Sequence, residues 1–180
     1  MSLITRCQFL GLLLALPLLS QTSRANPDDF TVRGVTSTNM FHLSAAQGRF
    51  VALHFLLKTE CPYCLRYTRE YAQKSAGDAQ VIHVFLKPDT EAEIKAWAAK
   101  LGEDPMDVTV YRDPDAALAK AYQIPDGYKF HGQTVHYPAL VLLDAKGREV
   151  FRYVGKSNAD RLAYEKFKAK LKELTAPPTK

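Results

Sequence analysis

Apolar residues run along this chain in short continuous blocks separated by amphipathic stretches, a pattern that predicts strands joined by helices. Residues 50–57 are apolar apart from His54 and have the length of a strand covered on both faces of a sheet. The period turns helical from Pro62, with Leu65, Tyr67, Thr68, Tyr71 and Ala72 recurring at three- and four-residue spacing until Gly77 and Asp78 stop it. Pro62 suits the first helical position, where its missing N–H costs nothing. Residues 81–86 predict a second buried strand. Asp89 or Thr90 then caps a helix to Leu101, with Ile94, Trp97, Ala98 and Leu101 on one face and Gly102 at its end. Trp97 reads as core.

A third strand is predicted over 108–111, and Asp113 and Pro114 open a short helix carrying Leu118, Ala119 and Tyr122. This β-α-β-α-β-α order argues for helices packed on a largely parallel sheet. Residues 124–136 hold Pro125, Gly127 and Gly132 with no clear period and read as a loop or a small irregular hairpin. After Pro138, the apolar run 139–143, the turn at Asp144 to Gly147 and the run 148–154 predict a β-hairpin. Asn158 or Asp160 caps a last helix with Leu162, Phe167 and Leu171 on its apolar face, and a frayed tail follows from Thr175. At the other end, residues 26–37 read as a polar extended lead-in, 40–43 alternate weakly, and 45–48 read as a turn.

The first residues follow a different logic. Met1 to Arg6 carries positive charge, residues 9–19 are almost uninterruptedly apolar, and Ser23 and Ala25 put small residues before a cleavage point. That is the pattern of a secretory signal peptide over 1–25, leaving one domain over 26–180. Its apolar core is about half of the roughly 20 residues that span a bilayer, so the expectation is export, to a periplasmic location, without stable membrane insertion after cleavage. The 180-residue chain carries 24 basic and 19 acidic side chains with no basic tract, which gives no reason to expect nucleic acid as a partner.

Of three cysteines, Cys7 falls within the leader, so the domain keeps Cys61 and Cys64 in a compartment where disulfides persist. A structural staple joins distant segments. This pair closes a minimal loop, which constrains the unfolded chain little and suits a bond that is made and broken. A cysteine at a helix start gains from the dipole and from unpaired N–H groups, which makes Cys61 the candidate nucleophile and Cys64, one turn on and more buried, the resolving thiol. Glu60 opposes a thiolate at Cys61 and Lys58 and Arg66 favour it, each by only a fraction of about 1 kcal/mol at an exposed site. His54 has two readings, a hydrogen-bonded core histidine or a proton shuttle for Cys64. His83, His131 and His136 lack ligand spacing beside the cysteines, so no metal is expected and no cofactor beyond the redox-active disulfide.

The strand at 50–57 leading into Cys61-Pro62-Tyr63-Cys64, the helix behind it, the Tyr137-Pro138 pair before a strand, and the 144–147 hairpin with its closing helix together resemble the thioredoxin superfamily, in its secreted thioredoxin-like and peroxiredoxin-like branch. The tetrad itself resembles that of glutaredoxins. The resemblance covers about residues 41–174. It implies an α/β thioredoxin-like fold, a central mixed β-sheet flanked by helices, and a secreted thiol–disulfide oxidoreductase acting with a protein thiol or disulfide substrate and a redox partner protein. It also implies that Pro62, Tyr63, Tyr137 and Pro138 contact substrate, with Pro138 in the cis form facing the cysteines and exposing the backbone of Tyr137 for strand-like pairing. Glu60 stands where thioredoxins usually place an aromatic, and His54 near where they place a buried acid that manages protons. Two other readings stand beside this one: a peroxiredoxin-like thiol peroxidase, although Thr59 is out of place for the P-x-x-x-T-x-x-C pattern, and a non-catalytic metal-binding or assembly module.

Overall fold

A computed structural model describes residues 29–46, 48–58, 61–102, 108–130 and 133–176. The leader over 1–25, Glu60, His131 and the end of the tail lie outside these described residues. In chain order the elements are β1 (Thr31–Arg33), β2 (Met40–His42), β3 (Phe50–Phe55), α1 (Pro62–Ser75), β4 (Val81–Lys87), α2 (Glu91–Ala98), β5 (Val110–Arg112), α3 (Ala117–Ala121), β6 (Asp126–Phe130), β7 (Gln133–His136), β8 (Ala139–Leu143), β9 (Glu149–Val154) and α4 (Tyr164–Thr175).

Five strands make the central sheet in the order β5-β4-β3-β8-β9. β3 and β4 pair in parallel from Phe50 opposite Val81 to Phe55 opposite Leu86, and β5 continues the parallel half. β8 joins β3 antiparallel and β9 joins β8 antiparallel, so the sheet is mixed, as expected. β3 and β8 lie at the centre with both faces covered, which is why their sequences are apolar throughout rather than alternating. One face packs against α1, α2 and α4 through Tyr71, Ile94, Trp97 and Phe167. The other packs Val51, Leu53 and Val141 against Val32, Phe41 and Leu118.

Most helix ends follow local chemistry. Thr90 caps α2 in a reciprocal box with Glu93, and Gly102 takes φ 97° after the short tight turn that ends at Leu101. Two expectations are corrected. The lead-in is not merely extended: β1 and β2 form an antiparallel ribbon, because Val32 and Phe41 point inward from otherwise exposed strands and cover the second core. The last helix starts at Tyr164, not at Asn158 or Asp160, because the Asp160 carboxylate accepts instead from the Tyr153 hydroxyl and the Lys156 N–H. Residues 124–136 do form the irregular hairpin, β6 with β7, with a register shift between Asp126 and Tyr128.

Candidate active site

Cys61 sits where β3 hands the chain to α1. Its backbone is extended (φ −79°, ψ 102°), Pro62 follows as the first helical residue, and no side chain caps the helix. The Cys61 N–H donates to the Lys58 carbonyl at 3.3 Å, and the Cys61 carbonyl accepts from the Cys64 N–H at 3.1 Å. This one-turn closure puts both sulfurs on the same side of the helix start, and both are free thiols. Cys64 is wholly enclosed while Cys61 is 9% exposed, so only Cys61 can be reached from outside without opening the fold.

The cation at the dithiol comes from the far end of the chain. Arg161 donates from Nη2 to the Cys61 Sγ at 3.4 Å and to the Cys64 Sγ at 3.2 Å, and from Nη1 to the Asp160 carbonyl at 3.3 Å. Neither local candidate takes this place. The Arg66 guanidinium lies 5.4 Å from the centroid of the exposed Tyr63 ring, and Lys58 contributes its carbonyl to the turn before Cys61. A second cation lies deeper: the buried Lys87 donates from Nζ to the Leu57 carbonyl at 2.6 Å, pairs with Asp89 at 3.1 Å, and sits 4.6 Å from the centroid of the Trp97 ring.

These surroundings split the two thiols. Burial pushes Cys64 up, but the hydrogen bond from the Cys61 thiol, the charges of Arg161 and Lys87, and the Leu57 backbone together bring it down to about 6. Cys61, which donates that hydrogen bond and is itself partly desolvated, is pushed well above the ordinary thiol range. The pair therefore gives up one proton readily and holds the other between its two sulfurs. The charge of Arg161 favours the thiolate form of both sulfurs.

Pro138 lines a small pocket with Tyr67, Tyr153, Arg161 and Leu162, so the fold brings it to the wall beside the cation that touches both sulfurs. Its peptide bond is trans, not cis as the resemblance implied. The backbone on either side is held extended, the Tyr137 N–H by the Pro125 carbonyl at 3.0 Å and the Pro138 carbonyl by the Gly155 N–H at 2.8 Å. The Tyr137 carbonyl in turn accepts from His136 Nδ1 at 2.7 Å. Each backbone group of Tyr137 thus has one partner within the chain.

His54 is fully buried and uses both ring nitrogens, Nδ1 with the Tyr67 hydroxyl at 2.8 Å and Nε2 with His83 Nδ1 at 2.9 Å, while its ring stacks 4.5 Å from that of Phe85. Burial and the neighbouring His83 hold its basicity well below the usual imidazole range. With both nitrogens taken by Tyr67 and His83, it occupies the core position foreseen for a hydrogen-bonded histidine. Among the described residues, no group of three or more His, Cys, Asp or Glu side chains is placed to hold a metal ion. Arg161 and Lys87 escaped the sequence reading. Arg161 reads as one more polar position at the start of the last helix and Lys87 ends a strand before a proline, so only the tertiary fold brings Arg161 to the sulfurs and buries Lys87 behind them.

The Redoxin family profile matches residues 22–171. Among curated protein sequences none matches this chain. Similar solved structures include a peroxiredoxin-like protein from Aquifex aeolicus (16% identity over 81% of this chain and 83% of that one, TM-score 0.67). The pneumococcal exposed lipoprotein thioredoxin of Streptococcus pneumoniae is 24% identical, covering 81% of this chain and 98% of its own with a TM-score of 0.60. A secreted Mycobacterium tuberculosis disulfide oxidoreductase is 19% identical, covering 79% and 95% with a TM-score of 0.57. At these identities each likeness is one of fold.

Proposed function

The chain belongs to the Redoxin family, within the thioredoxin superfamily of thiol-based redox proteins, and from that premise we propose that it is a thiol–disulfide oxidoreductase exported to the periplasm. The observation that carries this reading is a pair of thiols one helical turn apart, sharing a proton, with one guanidinium against both sulfurs. The substrate is a protein disulfide or dithiol, and a second redox protein resets the pair. The leader at 1–25 is the support for export.

In the reductive direction the Cys61 proton passes to Cys64 as the Cys61 sulfur attacks the substrate disulfide. An S–S bond forms between Cys61 and the substrate, and one substrate thiolate leaves. That thiolate takes the proton from Cys64, whose sulfur then attacks Cys61 and releases the second substrate thiolate, which is protonated from solvent. The substrate disulfide has gained two electrons and two protons, and Cys61–Cys64 is oxidised. The same steps in reverse oxidise a substrate dithiol, and the reduction potential of the pair sets the direction. Throughout, Arg161 holds negative charge at whichever sulfur carries it.

The test is turnover of a disulfide substrate such as insulin, or oxidation of a reduced test protein, by wild type and Cys61→Ser. The variant is expected to lose both activities, and retained turnover would overturn the reading. A thiol peroxidase is the second reading, favoured by Arg161, whose charge also suits the oxygen leaving a peroxide. There Cys61 attacks the O–O bond to give a sulfenic acid and an alcohol or water, and Cys64 condenses with it, releasing water. Peroxide consumption dependent on Cys61, without disulfide exchange, selects this reading.

A further inference from the structure

Arg161 is placed at the sulfurs by a segment with no regular secondary structure, and a single buried hydroxyl fixes the next residue of that segment. The Tyr71 O–H donates to the Leu162 carbonyl at 3.0 Å across the α1–α4 side of the core, and Tyr71 is fully buried. A carbonyl oxygen only accepts, so the one hydroxyl proton of Tyr71 is committed to Leu162. Behind Tyr71 the core is aromatic and tightly tied. Tyr67, one turn earlier on α1, packs its ring 4.5 Å from that of Tyr71. The Tyr67 hydroxyl is hydrogen-bonded to His54 Nδ1 at 2.8 Å, and His54 Nε2 to His83 Nδ1 at 2.9 Å.

We propose that Tyr71 is the positioning residue for Arg161, its ring packed among those of Tyr67, His54 and His83 and its hydroxyl acting on the dithiol through the Leu162 carbonyl. The other ties on this segment act on Asp160, through Tyr153 and the Lys156 N–H, so that Arg161 is flanked by one fixed residue on each side. Loss of either tie lets the guanidinium leave the sulfurs, because among the described residues Arg161 itself donates only to the two sulfurs and the neighbouring Asp160 carbonyl. The inference rests on the proposed function only in taking Cys61 and Cys64 as the reactive pair.

The experiment reads thiol ionisation rather than turnover, so a protein that exchanges no disulfide still reports on it. The pH profile of iodoacetamide alkylation of the reduced protein is measured for wild type, Tyr71→Phe, Arg161→Met and the double variant. Tyr164→Phe serves as the control, since it removes another hydroxyl that ties α4 to α1, bonded to the Lys74 carbonyl at 2.8 Å, without touching the Arg161 segment. Tyr71→Phe is expected to move the midpoint up by about one pH unit, roughly a ten-fold loss of thiolate below it, and Tyr164→Phe to leave it unmoved. The shift from Tyr71→Phe should vanish in the Arg161→Met background. An unchanged midpoint in Tyr71→Phe, an equal shift in Tyr164→Phe, or full additivity with Arg161→Met overturns the proposal.

Discussion

Arg161 decides the chemistry of the pair more directly than any neighbour of Cys61 in sequence. Its charge acts on both thiols in the same direction, toward ionisation, and it lies within hydrogen-bond reach of each sulfur in a site where Cys64 is fully enclosed. Arg161→Met is therefore expected to raise the first midpoint of the dithiol by about one to three pH units. The sign follows from which form the cation favours: the wild-type pair loses its first proton as pH rises through about 6, and the variant only at higher pH. Thiolate absorbance near the ultraviolet edge, followed against pH in the reduced protein, measures both midpoints. At this scale the sequence disclosed the two candidate thiols but not the cation beside them. Cys61 and Cys64 announce themselves by spacing and by the strand before them, whereas Arg161 lies 100 residues from Cys61 and becomes a neighbour only once α4 packs on α1. Lys87 is similar, a cation whose burial beside Asp89 and Trp97 nothing in the local pattern requires.

At the scale of elements, the turn after β9 is where packing is tightest against the site. A Cβ at Gly155 would meet the Asp160 carbonyl oxygen at 2.2 Å and Pro138 Cγ at 2.9 Å, so glycine is required there by close approach of three segments. Gly155→Ala forces the 155–160 turn away from β8 and carries Arg161 with it. The expected cost is about 1–3 kcal/mol of stability, seen as a lower urea midpoint, together with a raised alkylation midpoint. A stability loss with an unmoved alkylation profile would show that the turn and the cation are independent. The elements themselves were legible in proportion to how strongly burial marks them. β3, β4 and β8 read as continuous apolar runs because both their faces are covered, and α1 and α2 carry their own start and stop residues. β1 and β2 were not legible, since each contributes one inward residue, Val32 or Phe41, to a three-residue strand. The start of α4 was misplaced for a different reason: Asp160 has the chemistry of a cap but its carboxylate is spent on Tyr153 and Lys156.

Across the whole molecule, the core carries a set of histidines that fold only as neutral bases. His54 is held well below the usual imidazole range by burial and by His83, His83 is brought down to about 4 by burial, and His136 is lowered by burial as well. A base whose folded value lies below its unfolded one is protonated first in the unfolded chain. Stability is therefore fully present above about pH 6.5 and is lost as pH falls from there toward 4, where the unfolded chain binds protons that the native core refuses. His83 sits at the open end of the buried chain, with Asp78 and Lys168 paired at 2.8 Å nearby, the one favouring and the other opposing its charge. Its share of the acid destabilisation is on the order of 2 kcal/mol, allowing for its partial exposure. The same histidine is also hydrogen-bonded to His54 through Nδ1, so its replacement must keep a hydrogen-bonding group if packing and titration are to be separated. His83→Gln does so and cannot titrate. Urea unfolding of the reduced protein between pH 4 and 7 is expected to show a midpoint that falls steeply with acid in wild type and less steeply in His83→Gln. Equal slopes would mean that the acid sensitivity arises elsewhere, in His54 or His136.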